Sequence, residues 1–324
     1  MYCPRLDHFV RFNANGSMSR CGHMTDAPHF QTLQQMDSSD WLANVRTAMN
    51  QDSWPNECIR CNAIEDIGNK SVRQQSLDRH AQLLDARSDY LVLGGVLDNV
   101  CNSACQTCNE LLSTKIGSLH SKEYIKINNS ELIDTLPVER IVQMDINGGE
   151  PSASPNYLKL IKNLPPNVQY LRINTNGSRL ITGLTNLVER GVKVTVTVSL
   201  DGIGRCHDYV RWPINWHDVE QNISAYQAMG LYELNTWTTV SALNIGDLKN
   251  IFSYVKQHNL KNSWALLENP TVLHVKYSNH LTRTADVPDE LKNIVATEED
   301  NTVELQLWTM AQDQARGIKL WEYY

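Results

Sequence analysis

The run Val192-Lys-Val-Thr-Val-Thr-Val-Ser-Leu200 is rich in β-branched residues and stops at Asp201-Gly202. Branching at Cβ suits a pleated strand and disfavours a helix, so this run constrains the fold more than any other segment. Residues 90–97, 141–146, 169–174, 234–240 and 263–267 read as five further strands. Helix-forming segments lie between them: residues 157–163 and 180–190 before the third and fourth strands, 216–229 and 245–258 before the fifth and sixth. Ser, Thr, Asn or Asp stand near several helix starts, and Gly191 and Gly230 follow two ends, as capping favours. Strand–helix alternation at this spacing predicts an α/β fold with a parallel sheet and right-handed crossovers. Six such units predict a partial (β/α)6 TIM-like barrel rather than the full eight-unit one.

The chain has 324 residues, 41% of them hydrophobic, enough for a sizeable core. No stretch approaches the roughly 18 uninterrupted apolar residues of a membrane-spanning helix. The start, Met1-Tyr-Cys-Pro-Arg5, lacks the basic-then-apolar order of a secretory signal, so the expected location is the cytoplasm. A net charge of −7 argues against a broad nucleic-acid-binding face, and no membrane partner is expected. Eight cysteines in such a compartment point to ligands or reactive thiols rather than disulfides.

Seven of those cysteines fall into two groups. Cys101, Cys105 and Cys108 make a C-x3-C-x2-C loop directly after the first strand. Three thiolates from one short loop suit an iron–sulfur cluster with one iron left open; alone they would also suit a partial zinc site or buried thiols. In parallel α/β folds chemistry collects beyond the carboxyl ends of the strands. Asn147-Gly-Gly-Glu-Pro151 follows the second strand, Asn174-Thr-Asn-Gly177 the third, and Ser199 and Asp201 end the fourth. Singly, these read as an ordinary turn and as strand-terminating polar residues. Four strand ends offering thiol or polar groups on one rim are what one site needs.

In that order the motifs resemble the radical S-adenosylmethionine (SAM) superfamily, over roughly residues 88–270. The resemblance implies that Cys101, Cys105 and Cys108 ligate a [4Fe-4S] cluster whose open iron takes the amino and carboxylate groups of SAM. Reductive cleavage of SAM would then give a 5′-deoxyadenosyl radical that abstracts hydrogen from a substrate C–H bond. It also implies that Gly148 and Gly149 let the backbone approach the methionine part of SAM, that Glu150 accepts from its ammonium, and that Ser199 and Asp201 contact its ribose and carboxylate region. Asn176 falls nearby, and Arg211 pairs with the carboxylate. In one departure, Thr107 stands before the third cysteine, where the family usually carries an aromatic residue against the adenine.

The other group, Cys3-x12-Gly16-x4-Cys21 with Cys58-x2-Cys61, resembles the first half of a SPASM domain, the shortened twitch form. That resemblance implies one auxiliary [4Fe-4S] cluster on Cys3, Cys21, Cys58 and Cys61, in a small module that here precedes the barrel instead of following it. A C-x2-C pair is also zinc-ribbon spacing, so structural zinc stays open. The expected organisation is an auxiliary module with a connecting helix (residues 70–85) over 1–87, a radical SAM core over 88–270, and an extension over 271–324 whose helix, from about residue 297, packs on the barrel. Cys206 reads as a small buried residue, and His207 and His217 as solvated or capping groups. The resemblance implies modification of a peptide or protein, with a reducing partner such as flavodoxin or ferredoxin. Modification of a small molecule, nucleoside or tRNA by the same chemistry is the alternative, as is a non-catalytic iron–sulfur or zinc protein on a decayed barrel.

Overall fold

The computed structural model describes residues 1–277 and 302–323. Its strands are β1 (Phe9–Phe12), β2 (Met18–Ser19), β3 (Leu91–Val96), β4 (Ile141–Asn147), β5 (Tyr170–Thr175), β6 (Lys193–Ser199), β7 (Glu233–Val240) and β8 (Lys261–Leu266). Its α-helices are α1 (Arg5–His8), α2 (Leu33–Asp37), α3 (Asp40–Asn50), α4 (Ile59–Asp66), α5 (Val72–Ala86), α6 (Thr114–His120), α7 (Pro155–Lys162), α8 (Leu184–Glu189), α9 (Arg205–Val210), α10 (Trp216–Ala228), α11 (Leu248–Gln257) and α12 (Thr302–Arg316). One sheet runs in the order β2-β1-β3-β4-β5-β6-β7-β8. Only β2 is antiparallel to its neighbour; every other pairing is parallel.

The pleat sorts side chains onto two faces. Leu171 and Ile173 of β5 and Val194, Val196 and Val198 of β6 face one way and are buried. They share a core with Tyr157 and Ile161 of α7, Leu184 and Leu187 of α8, Ile223 of α10 and Ile251 of α11. Ser154 starts α7 by accepting from the Tyr157 amide, with Pro155 at the first helical position, and Asn215 starts α10 by accepting from the His217 amide. The opposite face carries Gln143, Asp145, Asn147, Arg172 and Asn174 and lines a cleft of about 760 Å3. Helix α5 lies over that cleft. Its Leu83 packs with Phe9, Tyr90, Val92 and Val142, and His80 bonds Tyr90 Oη at 2.8 Å.

Strands β3 to β8 match the six expected from sequence, and α5, α7 and α10 match expected helices to within about two residues. Helix α8 begins at Leu184 rather than 180, and α11 at Leu248, after a 3-10 turn over Ile245–Asp247. The start of the tail helix, residues 297–301, lies outside the described residues.

The first 87 residues supply two strands to the same sheet as the rest. Strand β1 pairs in parallel with β3, Phe9 opposite Val92 through Phe12 opposite Gly95. Val10, Phe12, Met18, Leu42 and Met49 share the main core with Leu91 and Leu93. The change at residue 87/88 is therefore a change of element, not a break in the sheet. Among the described residues, no helix is long and apolar enough to cross a membrane.

Candidate functional site

The cysteine loop leaves β3 through Asp98, Asn99 and Val100. Asn99, fully buried, fixes the loop's far side: its Nδ2 donates to the Ile125 carbonyl at 2.9 Å and its Oδ1 accepts from the Ile127 amide at 2.9 Å. Ser103 Oγ lies 3.2 Å from Cys101 Sγ and 3.4 Å from Cys105 Sγ, bridging two of the three thiols. The Ala104 and Gln106 amides donate to the carbonyls of Trp212 and Val210, each at 2.7 Å, tying the loop to the end of α9. Burial pushes the Cys108 thiol up to about 12, reinforced by Cys105 and Cys101. Cys101 is raised too, by burial first and Cys105 second.

Cys105 is buried and Cys101 and Cys108 are half-buried, so as thiolates they are suited to a group that offsets their charge. The surroundings fit such a group. Among the described residues, neither amide atom of Gln106, a residue 1% exposed, has a partner, nor does Arg211 Nε. Arg211 is held well above its usual range: burial opposes its charge, but Cys105, Asp201 and Cys101 outweigh it.

The glycine turn does something the motif alone did not suggest. Gly148 and Gly149 have φ of +93° and +55°, and what approaches them is the chain's own loop entrance. A Cβ at Gly148 would stand 2.6 Å from the Asp98 carbonyl oxygen, and one at Gly149 2.4 Å from that of Val100. Only glycine fits at such distances. The Glu150 amide donates to the same Val100 carbonyl at 2.7 Å.

Glu150 is 1% exposed, and its carboxylate is already occupied. Oε1 accepts from the Ser152 amide (2.9 Å), Ser152 Oγ (2.7 Å) and Thr175 Oγ1 (2.7 Å); Oε2 accepts from the Asn176 amide (2.6 Å). It thus staples the end of β4 to the end of β5. Asn176 passes the link on, its Nδ2 donating to Asn102 Oδ1 inside the cysteine loop at 2.8 Å. Asn102 Nδ2 in turn donates to Ser178 Oγ at 2.9 Å.

Ser199 is half-buried at the end of β6, beside Trp237 of β7. Asp201, 1% exposed, pairs with Arg211 Nη1 at 2.6 Å and accepts from the Thr239 amide at 2.7 Å. Asp201 and Arg211 are therefore partners of each other. His207 is not solvated as expected: it is fully buried against Trp216, and burial, then Arg211, hold it down to about 3. His217 is exposed and bonds Gln221. Cys206 is buried beside Tyr209, Val210 and Leu243, as its composition suggested.

Two supports were not legible in the sequence. Asp98, wholly buried, accepts from Ser154 Oγ, from Asn156 Nδ2 at 2.9 Å and from the Val100 amide at 3.1 Å. Burial raises its pKa, against those hydrogen bonds. Arg316, from α12, donates through Nε to the Ala104 carbonyl at 2.9 Å and through Nη2 to that of Cys105 at 3.4 Å. The tail helix thus reaches the cysteine loop itself, with Asp313 receiving Tyr209 Oη at 2.9 Å beside it.

The amino-terminal cysteines also come together. Cys3, Cys21, Cys58 and Cys61 line one small recess with Leu6, Met24 and Met49. Burial pushes Cys3 up to about 11, with Cys21 adding to it, and Cys58 up to about 12, with Cys3, Cys21 and Cys61 adding. The His23 amide lies 3.4 Å from Cys21 Sγ. Among the described residues, no three His, Cys, Asp or Glu side chains close on a site for a single metal ion.

No family model matches this chain, and no curated protein does. Three solved structures of SuiB from Streptococcus suis are similar over 97% of this chain and 69–70% of their own, at 11–12% identity and TM-scores of 0.42–0.43. One is SuiB alone, one is bound to S-adenosylmethionine and one to the precursor peptide SuiA. The chain's own residues describe a mostly parallel α/β sheet with a braced three-cysteine loop at the end of β3.

Proposed function

We propose that this chain is a radical SAM enzyme that modifies a peptide or protein. The observation that carries the reading is the loop of Cys101, Cys105 and Cys108, fixed to the ends of β4 and β5 and flanked by two guanidiniums. Strand order without reversal from β3 to β8 supports a partial barrel, which puts this loop on the rim where such folds do chemistry. When bound, an iron–sulfur cluster with SAM supplies a carbon radical that removes a hydrogen atom from an unreactive C–H bond.

The chain's own residues have three tasks. Cys101, Cys105 and Cys108 hold the cluster. Gly148, Gly149, Glu150 and Asn176 fix the loop against neighbouring strand ends, so Glu150 acts first through position; we assign any contact of these residues and Ser199 with SAM to groups not already spent on that bracing. Asp201 orients Arg211, and the rest of that guanidinium is assigned the SAM carboxylate. Cys3, Cys21, Cys58 and Cys61 are assigned one auxiliary [4Fe-4S] cluster. The resemblance of that group to twitch modules supports the peptide class, and a flavodoxin or ferredoxin is the assigned reductant.

The test is iron and sulfide content after anaerobic reconstitution, beside a Cys101/Cys105/Cys108→Ala variant, each assayed for 5′-deoxyadenosine after reduction. About eight irons in the native chain, about four in the variant, and deoxyadenosine from the native chain only are expected. About four irons with bound zinc would make the amino-terminal group structural. Deoxyadenosine from the triple variant would overturn the reading.

A further inference from the structure

The cleft on the polar face of the sheet continues into a second cavity of about 460 Å3, toward the amino ends of the strands. Arg79 of α5 and Arg172 of β5 line both and therefore stand at their junction. The carboxylates around them, Asp145 and Glu233, favour the charge on Arg79 but make their hydrogen bonds to other residues. Both oxygens of Asp145 accept from Gln143 Nε2 at 2.9 Å, and the nearest approach to Arg172 is 4.0 Å. Glu233 pairs with Lys261 at 2.7 Å. Arg79 makes no hydrogen bond or ion pair among the described residues; burial, then Arg172, hold its pKa below the usual value. Arg172 thus adds to the cost of the Arg79 charge, which Asp145 and Glu233 offset only in part, and an anion held at the junction would offset it further.

The cleft's other cations stand elsewhere. Arg5 lies where it meets the recess of amino-terminal cysteines, and burial lowers the pKa of Arg11 in the cleft, against the charge of Cys21. Both face the cysteine side of the cleft. Arg79 and Arg172 have no such neighbour. Arg172 precedes the end of β5 at Thr175 by three positions, roughly 10 Å at the rise of a strand, so an acidic residue that meets it must itself enter the cleft.

We propose that Arg79 and Arg172 form a carboxylate anchor inside the cleft, which an acidic side chain of the substrate peptide fills. The planar fork of guanidinium matches a carboxylate on two bonds, which a lysine would not. The proposal deepens the peptide-modifying reading and rests on it for the identity of the carrier; the anchor itself stands on the two arginines.

The test is fluorescence anisotropy of a labelled hexaglutamate peptide on the reconstituted protein, without SAM or reductant, so that failure here is separate from failure of SAM cleavage. Glutarate, inorganic phosphate and hexalysine serve as competitors. Saturable binding is expected, weakened about tenfold or more by Arg79→Gln and by Arg172→Gln. Arg79→Lys should recover part of the loss, and Lys256→Gln, on the exposed face of α11, should change nothing. Unchanged circular dichroism keeps a folding defect apart from lost binding. Competition by glutarate as strong as by the peptide would keep the anchor and assign it to a small acid. Binding indifferent to both arginine substitutions, preference for phosphate, or no binding would overturn the proposal.

Discussion

Single residues here do their work by holding other residues still. Gly149→Ala would drive a methyl into the Val100 carbonyl, so we expect a stability loss of about 1–3 kcal/mol in denaturant unfolding and less iron retained on reconstitution. Glu150→Gln turns an all-acceptor group into one whose amide faces donors; a loss of about 2–3 kcal/mol is expected by the same measurement. Neither role is visible in the motif, because the partners, Val100 and Asn176, are brought near only by the parallel pairing of β3, β4 and β5. What the sequence does reveal is that these positions matter: glycines and a carboxylate directly after a strand. His207 gives a pH prediction. The folded chain keeps it neutral down to about 3, whereas the unfolded chain protonates it below about 6.5. Acid therefore favours unfolding across that window and stops doing so, for this group, below about 3. His207→Phe should flatten the slope of stability between pH 6 and 4 by up to about 1.4 kcal/mol per pH unit, read from urea unfolding at stepped pH.

At the scale of elements, legibility follows local pattern. Strands β3 to β8 carry enough β-branched or apolar residues to announce themselves, and α7 carries its own Ser-Pro start. Strand β1 is four residues long and β2 two, so their existence depends on the edge of β3. Helix α5 is polar enough to pass for a linker, yet its apolar residue Leu83 is buried under Phe9 and Tyr90. Leu83→Ala should cost about 2–4 kcal/mol, measured by thermal or denaturant unfolding; a loss below about 0.5 kcal/mol would mean α5 only lies on the sheet. Helix α12 is tied down by Arg316. Arg316→Gln should leave the secondary structure intact and speed amide exchange across residues 101–108. Arg316→Lys should not rescue it, since one ammonium cannot span two carbonyls as the guanidinium does.

For the whole molecule, the sheet is the unit of stability. A chain beginning at residue 88 would leave the edge of β3 unpaired and the main core stripped of Val10, Phe12 and Met18. It should be insoluble or lack a cooperative transition by circular dichroism, whereas an independent module at 1–87 would leave it folded. The contact between Arg316 and the cysteine loop has a temporal meaning as well. Arg316 follows Ala104 by 212 residues, so a ribosome releases the thiols long before it releases the guanidinium that clamps their loop. Order of synthesis then becomes order of assembly: the nascent loop is exposed to solvent and to whatever reacts with thiols, and it is fastened last.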